Sequence, residues 1–291
     1  MTVKLALGTV QFGMDYGIAN ATGRPDTQAV ADILAVARGA GIDLMDTAVA
    51  YGDSETVLGQ AGIRGWKVVT KLPPVPDDET DVAGWIEAQV TASLTRLGID
   101  RLYGLLLHAP TQMHGRRAHV IARALEDVAA QGSVERVGVS IQHPDHDLPA
   151  VLRHMAPGLI QAPLNLLDDA LVTRGWAARL RAMGCEIHTR SAFLQGLLLM
   201  SSSARPAWFD RWGGHWQVWD GWLASTGLRA TDACLRFVRA QPEIDACVIG
   251  VDSTAQLHDL LTAGDTPLLT LPAWPGPVDA ELITPSRWNT T

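Results

Sequence analysis

The stretch "DTQAVADILAVARGAGIDLMDTAVAYG", Asp26 to Gly52, carries two different periods. Val30, Ile33, Leu34 and Ala37 repeat at the spacing of one helix face. Asp26 stands where an N-cap belongs, and a glycine follows the last apolar residue as a stop. The run Ile42 to Ala48 is short and nearly continuously apolar. A strand covered on both faces reads that way, whereas a half-exposed one alternates. A helix feeding a doubly buried strand is a piece of a parallel α/β sheet, because parallel neighbours need crossover connections.

The same alternation extends in both directions. "KLALGTV", "WKVVTKL", "LYGLLLH", "VERVGVS", "GLIQAPLN", "CEIHTRSA" and "ACVIGV" are further short apolar runs. Helical patterns such as "VAGWIEAQVTASLTRLG", "RAHVIARALEDVAAQG" and "DALVTRGWAARLRAMG" separate them and end in glycine. Eight strand–helix units predict a (β/α)8 TIM barrel, one α/β domain over residues 1–291. The first run could instead form part of a hairpin capping the barrel. An open doubly wound sheet is the runner-up, but it calls for a G-x-G-x-x-G turn, and "LGTVQFG" is not one.

One segment interrupts the rhythm. Between Gly196 and Thr231, after the seventh strand, lie five of the ten tryptophans: Trp208, Trp212, Trp216, Trp219 and Trp222. Two readings stand side by side. The insertion is a helical cap with its aromatic stripe on the barrel, or a lid whose Trp208, Trp212 and Trp216 wall the substrate. The proline-rich tail after Leu271 reads as irregular.

Composition narrows the function. The 291 residues are 47% hydrophobic and 19% charged, enough to bury a large core. A net charge of -8 argues against nucleic-acid or anionic-membrane partners. Cys185, Cys234 and Cys247 are scattered and odd in number, so they form neither a disulfide framework nor a zinc site; no metal is expected. No stretch is long enough to span a bilayer and no cleavage signal opens the chain, so a cytoplasmic location is expected. The oligomeric state cannot be read.

In a barrel, polar residues at the C-terminal ends of strands ring a single pocket. Those ends supply Asp46 with Tyr51 on its loop, then Lys71, His108, Ser140, Gln161, Asn165 and Arg190. Singly each has a bland explanation: a loop cap, a snorkelling lysine, a hydrogen-bonded core histidine. Together, an acid, a phenol, an amine and an imidazole from three consecutive strands would be costly to bury without a use.

"GIDLMDTAVAYGDSETVLG", "VVTKL" and "LYGLLLHAP", with the later "VERVGVS", "LIQAPLN" and "ACVIGVDSTAQL", resemble the aldo-keto reductase family over most of the chain. "LGTVQFGMDYGIAN" and "RSAFLQGLL" further resemble a bacterial branch found with sugar and polysaccharide gene sets. The resemblance implies NAD(P)H-dependent reduction of an aldehyde, ketone or keto-sugar carbonyl by hydride transfer, with a small-molecule substrate. It implies Tyr51 as general acid, Lys71 stabilising the phenolate, Asp46 steadying Lys71, and His108 donating to the carbonyl oxygen. It assigns the cofactor to Ser140, Gln161, Arg190, Gly250, Asp252, Ser253 and Gln256, with Asn165 as a further candidate.

Several positions depart from the family pattern. Ile141 stands where asparagine is common, Arg190 where a stacking tyrosine often sits, and Gln256 where NADP-preferring members carry arginine. Leu260 also replaces an asparagine, and Asp252 is acidic. The resemblance favours NADP as cofactor, with NAD as the alternative. Two other functions remain open: a dinucleotide-binding regulatory subunit on the same fold, and a redox-neutral sugar epimerase or dehydratase that recycles its cofactor.

Overall fold

The computed structural model describes residues 3–20, 23–264, 266, 268 and 270–289. Eight parallel strands close into a barrel: β1 (Lys4–Gly8), β2 (Leu44–Asp46), β3 (Lys67–Leu72), β4 (Leu102–Leu107), β5 (Val134–Ser140), β6 (Leu159–Pro163), β7 (Glu186–Arg190) and β8 (Ala246–Gly250). Each lies within one of the eight apolar runs. The first run is a true barrel strand and no hairpin: β1 pairs in parallel with β2 and, over Lys4↔Ala246 to Gly8↔Gly250, with β8.

Twelve α-helices lie between and beyond the strands among the described residues: α1 (Val10–Gly13), α2 (Thr27–Gly39), α3 (Ser54–Ala61), α4 (Val82–Leu97), α5 (Ala118–Ala130), α6 (Pro144–His154), α7 (Ala170–Thr173), α8 (Trp176–Ala182), α9 (Gly213–Thr226), α10 (Ala230–Arg239), α11 (Thr254–Leu261) and α12 (Ala280–Ile283). Their boundaries have local causes. The Asp26 carboxylate accepts from the Ala29 N–H at the start of α2, and Gly98 closes α4 in the left-handed region. No described helix is long and apolar enough to cross a membrane.

The core has two parts. Helices pack on the outside of the strands through a large apolar layer that includes all three cysteines, which are free and buried. A smaller cluster, Ala6, Leu44, Val69, Leu106, Leu159 and Ala246, fills the barrel interior. Side chains alternate along a strand, so the residue two positions further on points into the same interior, one layer nearer the mouth. Applied to that cluster, the rule selects Gly8, Asp46, Lys71, His108, Gln161 and Val248. The polar strand-end residues are therefore the next interior layer of the barrel.

The opposite end is closed by charge. The Tyr103 hydroxyl lies 2.9 and 2.7 Å from the two Glu186 oxygens and donates its proton to the carboxylate, and Arg136 Nε forms an ion pair with it at 3.0 Å. His188 Nε2 lies 2.7 Å from Glu186 Oε1. Burial pushes the Glu186 carboxyl up, but these partners outweigh it and hold it at about 2.

Tyr51 is placed by close backbone approach. Gly52 takes a φ of 58°, and a Cβ there would lie 2.4 Å from the Gly13 carbonyl oxygen. A Cβ on Gly13 would lie 1.8 Å from the Tyr51 carbonyl oxygen. Helix propensity alone would make Gly13→Ala stabilising by about 1 kcal/mol. The contact reverses the sign: a loss of about 3 kcal/mol is expected from overpacking. Urea denaturation decides between the two, and a stabilised variant would show that the two loops can separate without cost.

Candidate active site

Lys71 is the centre of the mouth layer and is fully buried. Its Nζ donates to Asp46 Oδ1 at 2.7 Å, Asp46 Oδ2 at 2.6 Å and the Thr47 carbonyl at 2.9 Å. The Tyr51 hydroxyl oxygen lies 3.3 Å from the same nitrogen. Burial alone would pull the ammonium toward neutrality, but the Asp46 charge and hydrogen bond reverse this, and the net shift is upward. Lysine 71 is thus a fixed cation pressed against a phenol.

The support beneath is polar and continuous. Ser54 Oγ donates to the Thr9 carbonyl at 2.8 Å, and Thr9 Oγ1 donates to the Asp46 carbonyl at 3.0 Å. Glu55 accepts from Thr70 Oγ1 at 2.6 Å and from Arg96 Nε at 2.8 Å. The Ser54-Glu55 pair after Tyr51 therefore ties the first turn of α3 to β1, β3 and α4, and holds the loop that carries the phenol.

His108 faces Tyr51 edge-on, with ring centroids 5.8 Å apart. Its pKa falls to about 4, first through burial, then through the positive charge of Lys71. At neutral pH the imidazole is uncharged and offers one N–H. The unfolded chain would bind a proton near pH 6.5 that the folded chain refuses until about pH 4. Its contribution to stability is therefore full above about pH 6.5 and is lost as the pH falls toward 4. Comparing urea midpoints at pH 7 and pH 5 for wild type and His108→Gln checks this. Equal pH slopes in the two proteins would contradict it.

Tyr51, His108 and Asp46 open onto one cavity of about 880 Å³. Besides Tyr51 and His108 it is lined by Gly8, Val248 and Gly250, by Asp252 in the loop before α11, and by Gln256, Asp259 and Leu260 along α11. Its roof comes from the loops after β1 and β7: Tyr16, Ala19 and Asn20 face Phe193, Gln195 and Gly196. The two loops touch, with Gln195 Nε2 donating to the Tyr16 hydroxyl oxygen at 3.1 Å. Ser191, Leu194 and Gln195 have positive φ values of 63°, 49° and 54°, a concentration of backbone strain in the loop whose Ser191 and Gln195 line the cavity.

Several candidates from the sequence take other places. Gln161 does not line the cavity: its Nε2 donates to Asp46 Oδ1 at 2.7 Å, and Ser140 Oγ donates to its Oε1 at 3.4 Å. Ser140 and Gln161 are register partners on β5 and β6, so each satisfies the other beneath the floor. Asn165 accepts from the Leu167 and Asp168 N–H groups at 2.9 and 3.0 Å and donates to the Ser191 carbonyl, organising a turn outside the cavity. Ser253 caps α11, accepting from the Gln256 N–H at 3.2 Å. Arg190, Gly250, Asp252 and Gln256 do line the cavity. Arg190 Nη2 is held by the Ile141 carbonyl at 3.0 Å and Gln142 Oε1 at 2.9 Å.

The tryptophan wall is corrected. Trp208, Trp212 and Trp216 do not reach the cavity. They pack around Phe209, with ring centroids 4.9, 6.1 and 6.4 Å away, and Trp288 of the tail closes the group at 5.0 Å. Indole rings bury best against one another once each N–H finds an acceptor. Trp216 Nε1 donates to the Phe209 carbonyl, and Trp212 Nε1 to Asp279 Oδ2. The insertion is a cap. The tail supplies the wall instead, through Pro285 and Ser286.

His114, His146 and Asp147 bring three potential metal-ligand atoms within 4.8 Å of one another, away from this cavity. Asp147 already accepts from the Gln142 and His143 N–H groups at 2.7 and 3.0 Å, which accounts for it as a tie between α6 and the loop before it.

Residues 4–270 match the model of the Aldo/keto reductase family. A Pseudomonas aeruginosa structure described as an aldo-keto reductase is 26% identical over 90% of each chain, with a TM-score of 0.64. An aldo-keto reductase from Bacillus halodurans, in its holo form, is 19% identical over 92% of this chain and 88% of that one, with a TM-score of 0.73. A glycerol dehydrogenase from Gluconobacter oxydans is 21% identical over the same shares, with a TM-score of 0.71. The last two speak to the fold alone. No curated protein matches the chain. The closed parallel barrel and the family match over nearly its whole length establish that the chain belongs to the aldo/keto reductase family of oxidoreductases.

Proposed function

We propose that the protein reduces the carbonyl of an aldehyde, ketone or keto-sugar with a nicotinamide dinucleotide, using Tyr51 as general acid. The observation that carries this reading is the buried Lys71 ammonium, locked by Asp46 and 3.3 Å from the Tyr51 hydroxyl at the floor of an open cavity.

The cavity suits an elongated polar cofactor. Gln11 Oε1 and Asp252 Oδ1 are buried acceptors without protein partners, and both residues line it. The Gln11 amide packs directly on Gly250: a Cβ there would lie 2.4 Å from the amide nitrogen. Gly250, Asp252 and the first turn of α11 would hold one end of the dinucleotide, and Arg190 the other. When bound, the reduced nicotinamide supplies hydride to the carbonyl carbon.

The protein's own groups handle the proton. As the carbonyl oxygen gains charge, Tyr51 gives it the hydroxyl proton and becomes phenolate. Lys71 stabilises that phenolate at short range in a site screened from water. Asp46 acts through Lys71 and is a positioning residue. Neutral His108 directs its N–H to the same carbonyl oxygen and orients the substrate. Solvent then returns a proton to Tyr51.

Intrinsic tryptophan fluorescence, followed while NADH or NADPH is added, tests binding. Loss of nicotinamide absorbance with a panel of aldehydes, ketones and keto-sugars tests turnover. Failure to bind either dinucleotide would overturn the reading. Binding without turnover on any carbonyl would instead favour a regulatory role.

A further inference from the structure

If the reacting end of the dinucleotide lies at Tyr51 and His108, the opposite end of the cavity receives the adenosine. That end is acidic. Asp252 and Asp259 both line it, beside Gln256 and Leu260. Asp252 Oδ1 is buried and accepts no hydrogen bond from the protein. Burial raises the Asp252 pKa, with only Gln256 opposing the shift, so the carboxylate lacks a compensating cation.

Asp259 is already paired with Arg229, whereas no arginine or lysine among the described residues lining the cavity stands beside Asp252. Gln256 is folded back, its Oε1 accepting from the Asp252 N–H at 2.7 Å while its own N–H bonds the Ser253 cap. Arg229, the guanidinium on Asp259, is engaged on both sides: Nε and Nη2 reach Asp232 at 2.9 Å each, and Nη1 pairs with Asp259. Among the described residues lining the cavity, Arg190 is the one arginine or lysine, and it sits at the end of β7, bonded to Ile141 and Gln142.

The two dinucleotides differ only at the adenosine ribose. NADP carries a phosphate on the 2′-oxygen, adding roughly 1.5 to 2 negative charges at pH 7, as other phosphomonoesters do. Such a group needs arginine or lysine. NAD presents a 2′-hydroxyl there, a donor that a carboxylate accepts. We infer that this protein selects NAD(H) over NADP(H), and that Asp252 discriminates by accepting the ribose hydroxyl on its carboxylate and repelling the phosphate. The inference rests on the dinucleotide reading above, and it reverses the NADP preference that the family resemblance favours.

Equilibrium titration of the whole protein with NADH and with NADPH, read by tryptophan fluorescence, tests it without turnover. NADH is expected to bind at least about tenfold more tightly, the order that one unscreened charge contact near a protein surface supplies. Asp252→Ser removes the carboxylate and should narrow that ratio to about threefold or less by removing both repulsion and acceptor. Adding Gln256→Arg should tip it toward NADPH, because the guanidinium can pair with the phosphate. Equal or tighter NADPH binding by the wild type overturns the inference, as does a ratio unchanged in a folded Asp252→Ser protein. If that variant fails to fold, the wild-type ratio still decides. Binding of neither dinucleotide by the wild type overturns the proposed function instead, so the two failures are distinguishable.

Discussion

Tyr51→Phe is expected to lower carbonyl turnover by roughly 10²- to 10⁴-fold, the share a positioned general acid supplies. The fold should survive the change. Lys71 keeps both Asp46 oxygens and the Thr47 carbonyl as acceptors, so the ammonium's three donors stay satisfied without the phenol. The phenyl ring can still meet His108 edge-on. Stability should therefore change by no more than about 1 kcal/mol. Dinucleotide affinity should stay within about threefold, because the variant alters no charge in the cavity. Steady-state kinetics and a cofactor titration on the same preparation give both readouts. Turnover within tenfold of wild type would remove Tyr51 from the role of acid.

Lys71→Met acts on the fold as well as the chemistry. It leaves the Asp46 carboxylate buried, with only the Gln161 amide as a side-chain donor at 2.7 Å. Breaking a buried ion pair from one side costs ~3–5 kcal/mol, since the remaining charge is neither hydrated nor paired. Turnover should fall by at least the factor seen for Tyr51→Phe, because the phenolate has then lost its cation. The double variant Lys71→Met/Asp46→Leu should recover part of the stability and none of the activity. Urea denaturation of the two single variants and the double closes the cycle. If Lys71→Met loses less than about 1 kcal/mol, the pair is not the buried contact described.

The barrel was legible because doubly covered parallel strands carry continuous apolar runs. Met45 beside Leu44, or Val68 beside Val69, leaves no polar alternation that could suggest an exposed face. The floor of the site was legible for a related reason. Asp46 and His108 are the first polar residues after such runs, Lys71 follows Thr70 on its own strand, and strand periodicity turns all three inward above Leu44, Val69 and Leu106. Ser140 and Gln161 were visible by the same rule. That they would spend their hydrogen bonds on each other and on Asp46 depends on the β5–β6 register, which no local pattern encodes.

The roof of the cavity was not legible. Tyr16 and Gln195 are 179 residues apart and meet only because β1 and β7 flank β8 in the closed sheet. The tryptophans misled because an aromatic stripe has the same composition whether it packs on itself or on a ligand. Phe209 and Trp288 decided the matter, and Trp288 lies beyond the last strand.

The sequence by itself determined the number of strands, their parallel arrangement and the identity of the polar residues at their ends, because burial and side-chain alternation are local consequences of residue type. Only the tertiary structure decided which of those residues face open space, what walls that space, and which charges meet at its far end. Those outcomes follow from closing the barrel, which brings loops distant in sequence onto one rim and lets neighbouring side chains satisfy one another before any ligand arrives.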